Sequence, residues 1–535
     1  MSSSQALMGT GSRVRMSPSP PLSHVTPGRI TIGRASRIIA ERPLRSAMLW
    51  LAGALALGAF GGAPAAGILL LVAASVLAGP IVWRRRRAIN QRLPMAGGLL
   101  LLFVSYTRLS DVGIAQHGLP SITQPLVLVL ATATLVRRTH SGGSWGLHAH
   151  RGLWAALGLY AAVLWASAIW APNPASSVAA ATELVKDLLI VYVMVETFDT
   201  PQRLRLAIWV IIIAGALLAG LSVLQAATHT YGNTYGGLAQ APVREITIKS
   251  NSERSAGPIG DPNFYGLILV ALVPLALVRA RDEHGAFLRA VAVVSALLLT
   301  AGLVLTYSRG DAVVLAVVAM LYVPLARVRR SYVIATLVAL APLASLAPQS
   351  FWDRIGSLGT AAPTSARADA ALQDRAGSLA VAVAMFDDHP LTGVGAENFP
   401  DTYVPYALRL NVPSAASHAH DLYLQIASET GLPGLVTFGA AMFLALRAPW
   451  RRRSAALTAG DRVVDGLATS CLLALAAYLI GCIFLPSAYP RYLWVLVGLS
   501  MAAALVDRGE DERRFATSPT LTASLTMGTA TGRPL

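Results

Sequence analysis

The chain has 535 residues, 54% of them hydrophobic and only 13% charged, about half the charged share of an ordinary soluble domain. That balance excludes a disordered chain, which would be polar and poor in apolar residues, and it argues against a soluble enzyme because long apolar runs recur through most of the sequence. The formal net charge is nevertheless +16, from 43 basic and 27 acidic residues, and its meaning depends on where those charges lie.

In chain order, residues 1–46 are rich in Ser, Pro and Arg and precede any apolar run, so they read as a disordered, basic cytoplasmic tail without a cleaved signal peptide. A membrane-crossing helix needs about 20 mostly apolar residues. Fourteen stretches are candidates: 47–62, 64–83, 95–106, 122–136, 152–170, 184–195, 206–227, 264–278, 288–307, 312–326, 333–347, 432–446, 467–485 and 493–506. Several of these apolar cores are short and borrow flanking residues, and the sixth carries Lys186 and Asp187 near its start. Residues 507–535 form a second polar tail. Cys471 and Cys482 both fall in the thirteenth stretch and read as packing residues. There is no internal repeat, CxxC pair, P-loop or dinucleotide fingerprint.

Arginine clusters precede the first stretch (Arg34, Arg37, Arg42, Arg45) and follow the second (84–87), fourth (Arg137, Arg138, Arg151) and sixth (Arg203, Arg205). Further clusters follow the eighth (Arg279, Arg281, Arg289), tenth (Arg327, Arg329, Arg330), twelfth (Arg447, 451–453) and fourteenth (Arg508, Arg513, Arg514). All of them fall on one side if all fourteen helices cross, and only single arginines such as Arg108, Arg354 and Arg491 fall on the other. Omitting any one crossing puts later clusters on the wrong side. The pattern therefore predicts a multi-pass membrane protein with both termini in the cytoplasm, and no nucleic-acid partner.

Two outer loops are long, 228–263 and 349–431. Loops beyond about 15 residues are uncommon unless they serve a function. Within the larger, 366–386 and 417–430 have helical spacing, which predicts a small helical cap. The expected organisation is a tail (1–46), eleven helices (47–347), an outer cap (348–431), three helices (432–506) and a tail (507–535). The expected fold class is all-α.

Candidate chemistry gathers on the outer side. His418 and His420 are two residues apart and precede Asp421. On a helix that spacing does not share a face, so a metal pair is disfavoured and a single imidazole acting as general base fits better. Surface or capping histidines are the structural alternative. Arg309, in Thr306-Tyr307-Ser308-Arg309-Gly310-Asp311, sits between two stretches with almost no loop. An ionisable residue there is a functional candidate, and a guanidinium fork suits phosphate oxygens. A snorkelling arginine, or a pair with Asp311, is the alternative. The turn Arg254 to Phe264 places Asp261 as a helix cap with Pro262 in the first turn, while Arg254 has no evident structural duty. Lys186 adds a further cation, or pairs with Glu183 or Asp187. Cations and a histidine under a cap would suit an anionic head group and deprotonation of a hydroxyl.

The stretches RSAGPIGDPNFYG, TYSRG, DHPLTGVGAENF (Asp388 to Phe399) and HAHDLYLQIASETGLPGL (His418 to Leu435) occur in this order. Together they resemble the O-antigen ligase and O-antigen polymerase (Wzy_C-type) superfamily, over roughly residues 105–446. The resemblance implies a GT-C-like enzyme. Such an enzyme moves a glycan from an undecaprenyl diphosphate carrier to a glycan or lipid acceptor hydroxyl, with inversion and without metal or other cofactor, on the outer (periplasmic) face of the cytoplasmic membrane. It implies His420 as general base, with His418 as understudy and Asp421 where the family often has Asn. It implies Arg309, Arg254 and Arg375 as diphosphate-holding residues. Gly393, Gly395 and Asn398 would shape the cap. Polymerisation of lipid-linked repeats is the alternative within the family. A lipid-linked oligosaccharide flippase, or a non-catalytic polysaccharide-export component, is the alternative outside it.

Overall fold

The computed structural model describes residues 89–141, 146–246, 251–327, 370–412, 418–486 and 490–506, all within the unit 50–535. The expected crossings at 47–62, 64–83 and 333–347 and both terminal tails lie outside the described residues. What is described is mostly helical. The helices are α1 (Ile89–Thr107), α2 (Leu109–His117), α3 (Thr123–Ser141), α4 (Gly146–Ala149), α5 (Arg151–Ser167), α6 (Pro174–Thr197), α7 (Pro201–Ala227), α8 (Pro262–Asp282), α9 (Ala286–Val304), α10 (Arg309–Leu325), α11 (Ala370–Asp388), α12 (Phe399–Leu410), α13 (Leu422–Thr458), α14 (Arg462–Gly481) and α15 (Pro490–Leu505). Among the described residues the departure from an all-α chain is an antiparallel hairpin between α7 and α8, β1 (Val243–Ile246) and β2 (Asn251–Arg254), with Val243 opposite Arg254.

Five of these helices, α7, α8, α9, α13 and α14, are long and apolar enough to cross a membrane. A sixth crossing results if α1 and α2, bent by 55° at their junction, count as one. The bend is set by Arg108, whose backbone is left-handed (φ 53°) and whose Nε donates to Asp111 Oδ2 at 2.9 Å. The count of fourteen rests on the charge pattern; the described helices support five or six. In α7, α8 and α14, 72%, 83% and 83% of the most apolar window is buried, against 39% in α9 and α13. The first three therefore form the centre of the bundle, as expected of helices that are apolar on all sides.

The arginines read from sequence as markers of orientation also have structural partners at one end of this bundle. Arg205 forms a bidentate pair with Glu283. The same buried carboxylate accepts from Trp209 Nε1 at 3.1 Å and lies 3.8 Å from the Arg279 guanidinium. Arg453 is also buried and donates to the Leu325 carbonyl at 2.7 Å and to Thr469 Oγ1 at 3.1 Å, with Asp465 at 3.5 Å.

Helices α11, α12 and the first turns of α13 share a small core of Val381, Met385, Val394, Phe399, Tyr403 and Ala407. The sequence placed the first of these helices at 366–386; the described helix is Ala370–Asp388. It placed a second over 417–430, but α13 begins only at Leu422 because Asp421 caps it, accepting from the Leu424 amide at 2.8 Å. His418 and His420 consequently lie in the non-helical approach to the helix, and the facing rule for helical residues does not apply to them. α12 was not foreseen as a separate helix. α13 is broken at Gly431 (φ 65°, ψ −166°), which joins its first turns to its membrane-length part.

The turn 388–399 docks on α13 through Val394 N to Ser428 O (2.9 Å), Gly395 N to Glu429 O (2.8 Å) and Leu432 N to Pro390 O (2.8 Å). At Gly393, φ is +63° and a Cβ would collide with the Glu429 backbone. Both the conformation and the space require glycine. Gly393→Ala is therefore expected to destabilise the protein by about 2–3 kcal/mol, from strain plus clash, seen as a lower thermal midpoint in detergent. An unchanged midpoint would contradict this account.

Candidate functional site

Sequence-distant elements converge on one cleft with a cavity of about 80 Å³. Its walls are Arg254 from the end of β2, Asn263 from the first turn of α8, Ser308 to Asp311 from the start of α10, Arg375 from α11, and Phe484 and Leu485 from the segment after α14. The turn between α9 and α10 is abrupt because Tyr307 is left-handed (φ 52°) and Ser308 immediately caps α10, its Oγ facing the Asp311 amide at 3.4 Å. This leaves the N-terminus of a 17-residue helix, with its positive dipole end, on the cleft wall.

Arg254 is 8% exposed. Its Nε donates to the Thr306 carbonyl at 2.8 Å and its Nη2 donates to Asn263 Oδ1 at 3.0 Å. The side chain thus ties the hairpin to the ends of α8 and α9 while forming part of the wall. Burial pulls its pKa down, as do Arg375 and Arg309, whereas Asp261 and Asp311 oppose this; a guanidinium stays charged even so. Asp261 itself caps α8, accepting from the Asn263 and Phe264 amides at 2.8 and 3.0 Å, with Pro262 in the first turn as the sequence indicated.

His420 does not line the cleft, but its imidazole is within electrostatic reach of Arg375, which does. Its backbone is left-handed (φ 56°), an uncommon state for a non-glycine residue. The segment is pinned by Leu422 N to the Cys482 carbonyl (2.9 Å) and Tyr423 Oη to the Leu479 carbonyl (2.7 Å). Partial burial holds the imidazole below the ordinary value of 6.5, helped by Arg375 and His418, while Asp261 and Asp374 act the other way. Arg375 and Asp261 thus link His420 electrostatically to the arginine cleft. The result is a neutral imidazole near a group of cations, suited to accept a proton where an anion is held.

Of the residues singled out from sequence, Arg254, Arg309 and Arg375 line the same cleft, and His420 is within electrostatic reach of Arg375. His418 is partly exposed and faces Glu397, whose pKa it lowers against the upward push of burial. Asp421 is occupied as the cap of α13. Lys186 is on α6, paired with Glu183 at 2.6 Å, and does not line the cleft. Gly393, Gly395 and Asn398 shape the turn beneath α12: Asn398 bridges to Asn173 and Ser177 of the α6 start. Sequence reasoning missed Phe484 and Leu485, apolar residues at a helix end with nothing to distinguish them. It also did not assign Asn263 and Asp311 to the site, although both lie inside the motifs it had marked. Among the described residues no three His, Cys, Asp or Glu side chains gather as a metal site would require.

The class defined here is a helical membrane protein with a cation-lined cleft in electrostatic reach of a histidine. Residues 294–439 match the Wzy_C family model, described as O-antigen ligase. Over that stretch, about a quarter of the chain, the protein is similar to the O-antigen ligase family, which is consistent, coarsely, with a role in lipid-linked glycan transfer. The matched stretch contains Arg309, Asp311, Arg375, His418, His420 and Asp421; Arg254 and Lys186 lie outside it. No curated protein matches the chain.

Proposed function

We propose that the protein is a GT-C-like glycosyltransferase. It transfers a glycan from an undecaprenyl diphosphate carrier to an acceptor hydroxyl at the outer face of the cytoplasmic membrane, with inversion and without a metal ion. The observation that carries this reading is the convergence of Arg254, Arg309 and Arg375 on one cleft in electrostatic reach of His420. The acceptor O–H loses its proton to the His420 imidazole, and the acceptor oxygen forms the new bond to the anomeric carbon. The bond from that carbon to the diphosphate oxygen breaks, and its electron pair leaves with the lipid diphosphate. The three guanidiniums and the α10 N-terminus stabilise that growing charge. A diphosphate departs readily, so positioning and cations matter more than an acid.

The test combines purified protein, an undecaprenyl diphosphate glycan, candidate acceptors and EDTA. Transfer to an acceptor is the expected result, and product size separates ligation from polymerisation. Movement of the lipid-linked glycan across proteoliposomes with no transfer product would overturn the proposal. Arg309→Lys is expected to lower kcat/KM by about 10–100-fold, because one ammonium cannot reproduce a planar fork. Unchanged kinetics would remove Arg309 from the diphosphate site.

A further inference from the structure

The arginine cleft contains one feature that anion binding alone does not require. Asp311, in the first turn of α10, lines the same wall as the three arginines and is only 2% exposed. Its Oδ2 has no hydrogen-bond partner. The carboxylate fits because residue 266 on α8 is glycine: a Cβ there would collide with Asp311 Oδ2. Burial raises the pKa of the Asp311 carboxyl to about 7, so it is mostly ionised at pH 8, where a negative charge within an anion site weakens binding of any anion, and of the more highly charged one most.

The two anions that would visit this cleft in turn differ in that respect. A glycan-linked lipid diphosphate is a diester with two negative charges. The lipid diphosphate left after transfer is a monoester, with a terminal phosphate that ionises a second time near neutral pH, as phosphate monoesters do. It carries about three charges above that pKa, so three guanidiniums alone would hold the product more tightly than the donor.

We propose that Asp311 is a specificity-determining residue that sets the cleft to prefer the diphosphate diester over the monoester and so speeds release of the spent carrier. This rests on the diphosphate reading above. Asp261, the other carboxylate that acts on Arg254, is engaged by the α8 amides it caps. His420 does not line the cleft and is held toward its neutral form. Asp311 is thus the carboxylate on the wall itself. Each cycle adds an anionic charge to the bound diphosphate as the glycan leaves, and repulsion from Asp311 grows at that moment.

The experiment compares two probes at pH 8 on the purified full-length protein in detergent: geranylgeranyl diphosphate, and the same compound methylated on its terminal phosphate. They share a lipid and differ by one negative charge. Asp311→Asn, which keeps the shape and removes the charge, is expected to raise affinity for the monoester about tenfold or more relative to the diester. Steady-state transfer by this variant should slow under product inhibition, with the monoester probe inhibiting it more strongly than it inhibits the native protein. Asp311→Glu, which keeps the charge, should retain the native ratio. An unchanged ratio in Asp311→Asn, an equal loss of both probes, or a Glu variant behaving like Asn would each overturn the proposal. Native protein that binds neither probe would overturn the diphosphate reading itself. Native protein that binds both, with a ratio indifferent to residue 311, would leave that reading standing and remove only this one.

Discussion

Replacing His420 with alanine is expected to lower the glycan-transfer rate by roughly 10²–10⁴-fold, the usual contribution of a positioned general base, while the protein stays folded in the membrane. The fold should tolerate the change because the anchors of this segment are on its neighbours. Leu422 holds the Cys482 carbonyl, Tyr423 holds the Leu479 carbonyl and Asp421 caps α13. Donor binding should be retained, since the arginines are untouched. Native-like turnover in His420→Ala would end the general-base proposal.

The pH profile gives a second reading of the same residue. A pKa held below the ordinary 6.5 means the proton is lost earlier as pH rises. The base form is then already populated in the acidic range, and the acid limb of kcat/KM should lie below 6.5. Arg375 is one of the groups keeping it there, so Arg375→Gln should move the limb to higher pH in addition to weakening the donor site. A limb that stays in place would show that the titrating group lies elsewhere.

Arg254→Ala is expected to have the second large effect, and to act in two ways. It removes a cation from the cleft, which should cost about 10²–10³-fold in transfer if that guanidinium stabilises the leaving diphosphate. It also strips the buried Thr306 carbonyl and the Asn263 amide oxygen of their donor, at about 1–3 kcal/mol for each acceptor left unsatisfied. Kinetics and thermal unfolding in detergent should therefore fall together. A variant as stable and as active as the native protein would show that Arg254 neither braces the wall nor meets the substrate.

Much of the bundle was legible from hydrophobicity because long apolar runs have few alternatives to the membrane helix. The Asp261–Pro262 start of α8 was legible for a local reason: cap chemistry is written in adjacent residues. The start of α13 was misplaced by four or five residues because Ser417 competes with Asp421 as a cap, and only the tertiary contact from Leu422 to Cys482 decides between them. The pairing of 243–246 with 251–254 was invisible because neither strand has clear alternation.

At the site, the three arginines stood out as exceptions to a charge pattern. Their meeting at one cleft did not, since Arg254 and Arg375 are more than a hundred residues apart in sequence and are joined only by packing. Lys186 was drawn in by its residue type, but Glu183 one helical turn away accounts for it. A pair of Asp311 with Arg309 was one structural alternative from the sequence, and the unpartnered Asp311 oxygen beside Gly266 is a property of the folded cleft.

The paired charges at the other end of the bundle have a consequence for how the chain is assembled. Arg205, Arg279 and Glu283 come from α7, α8 and the turn after α8; Arg453 and Asp465 come from α13 and α14, and Arg453 also holds the end of α10. A helix threaded in the wrong direction, or docked one turn out of register, would leave one of these charges buried without its partner, at a cost of about 3–5 kcal/mol. Residues that the charge pattern reads as markers of orientation thus also proofread the finished packing. Errors in threading and errors in docking are penalised by the same few side chains.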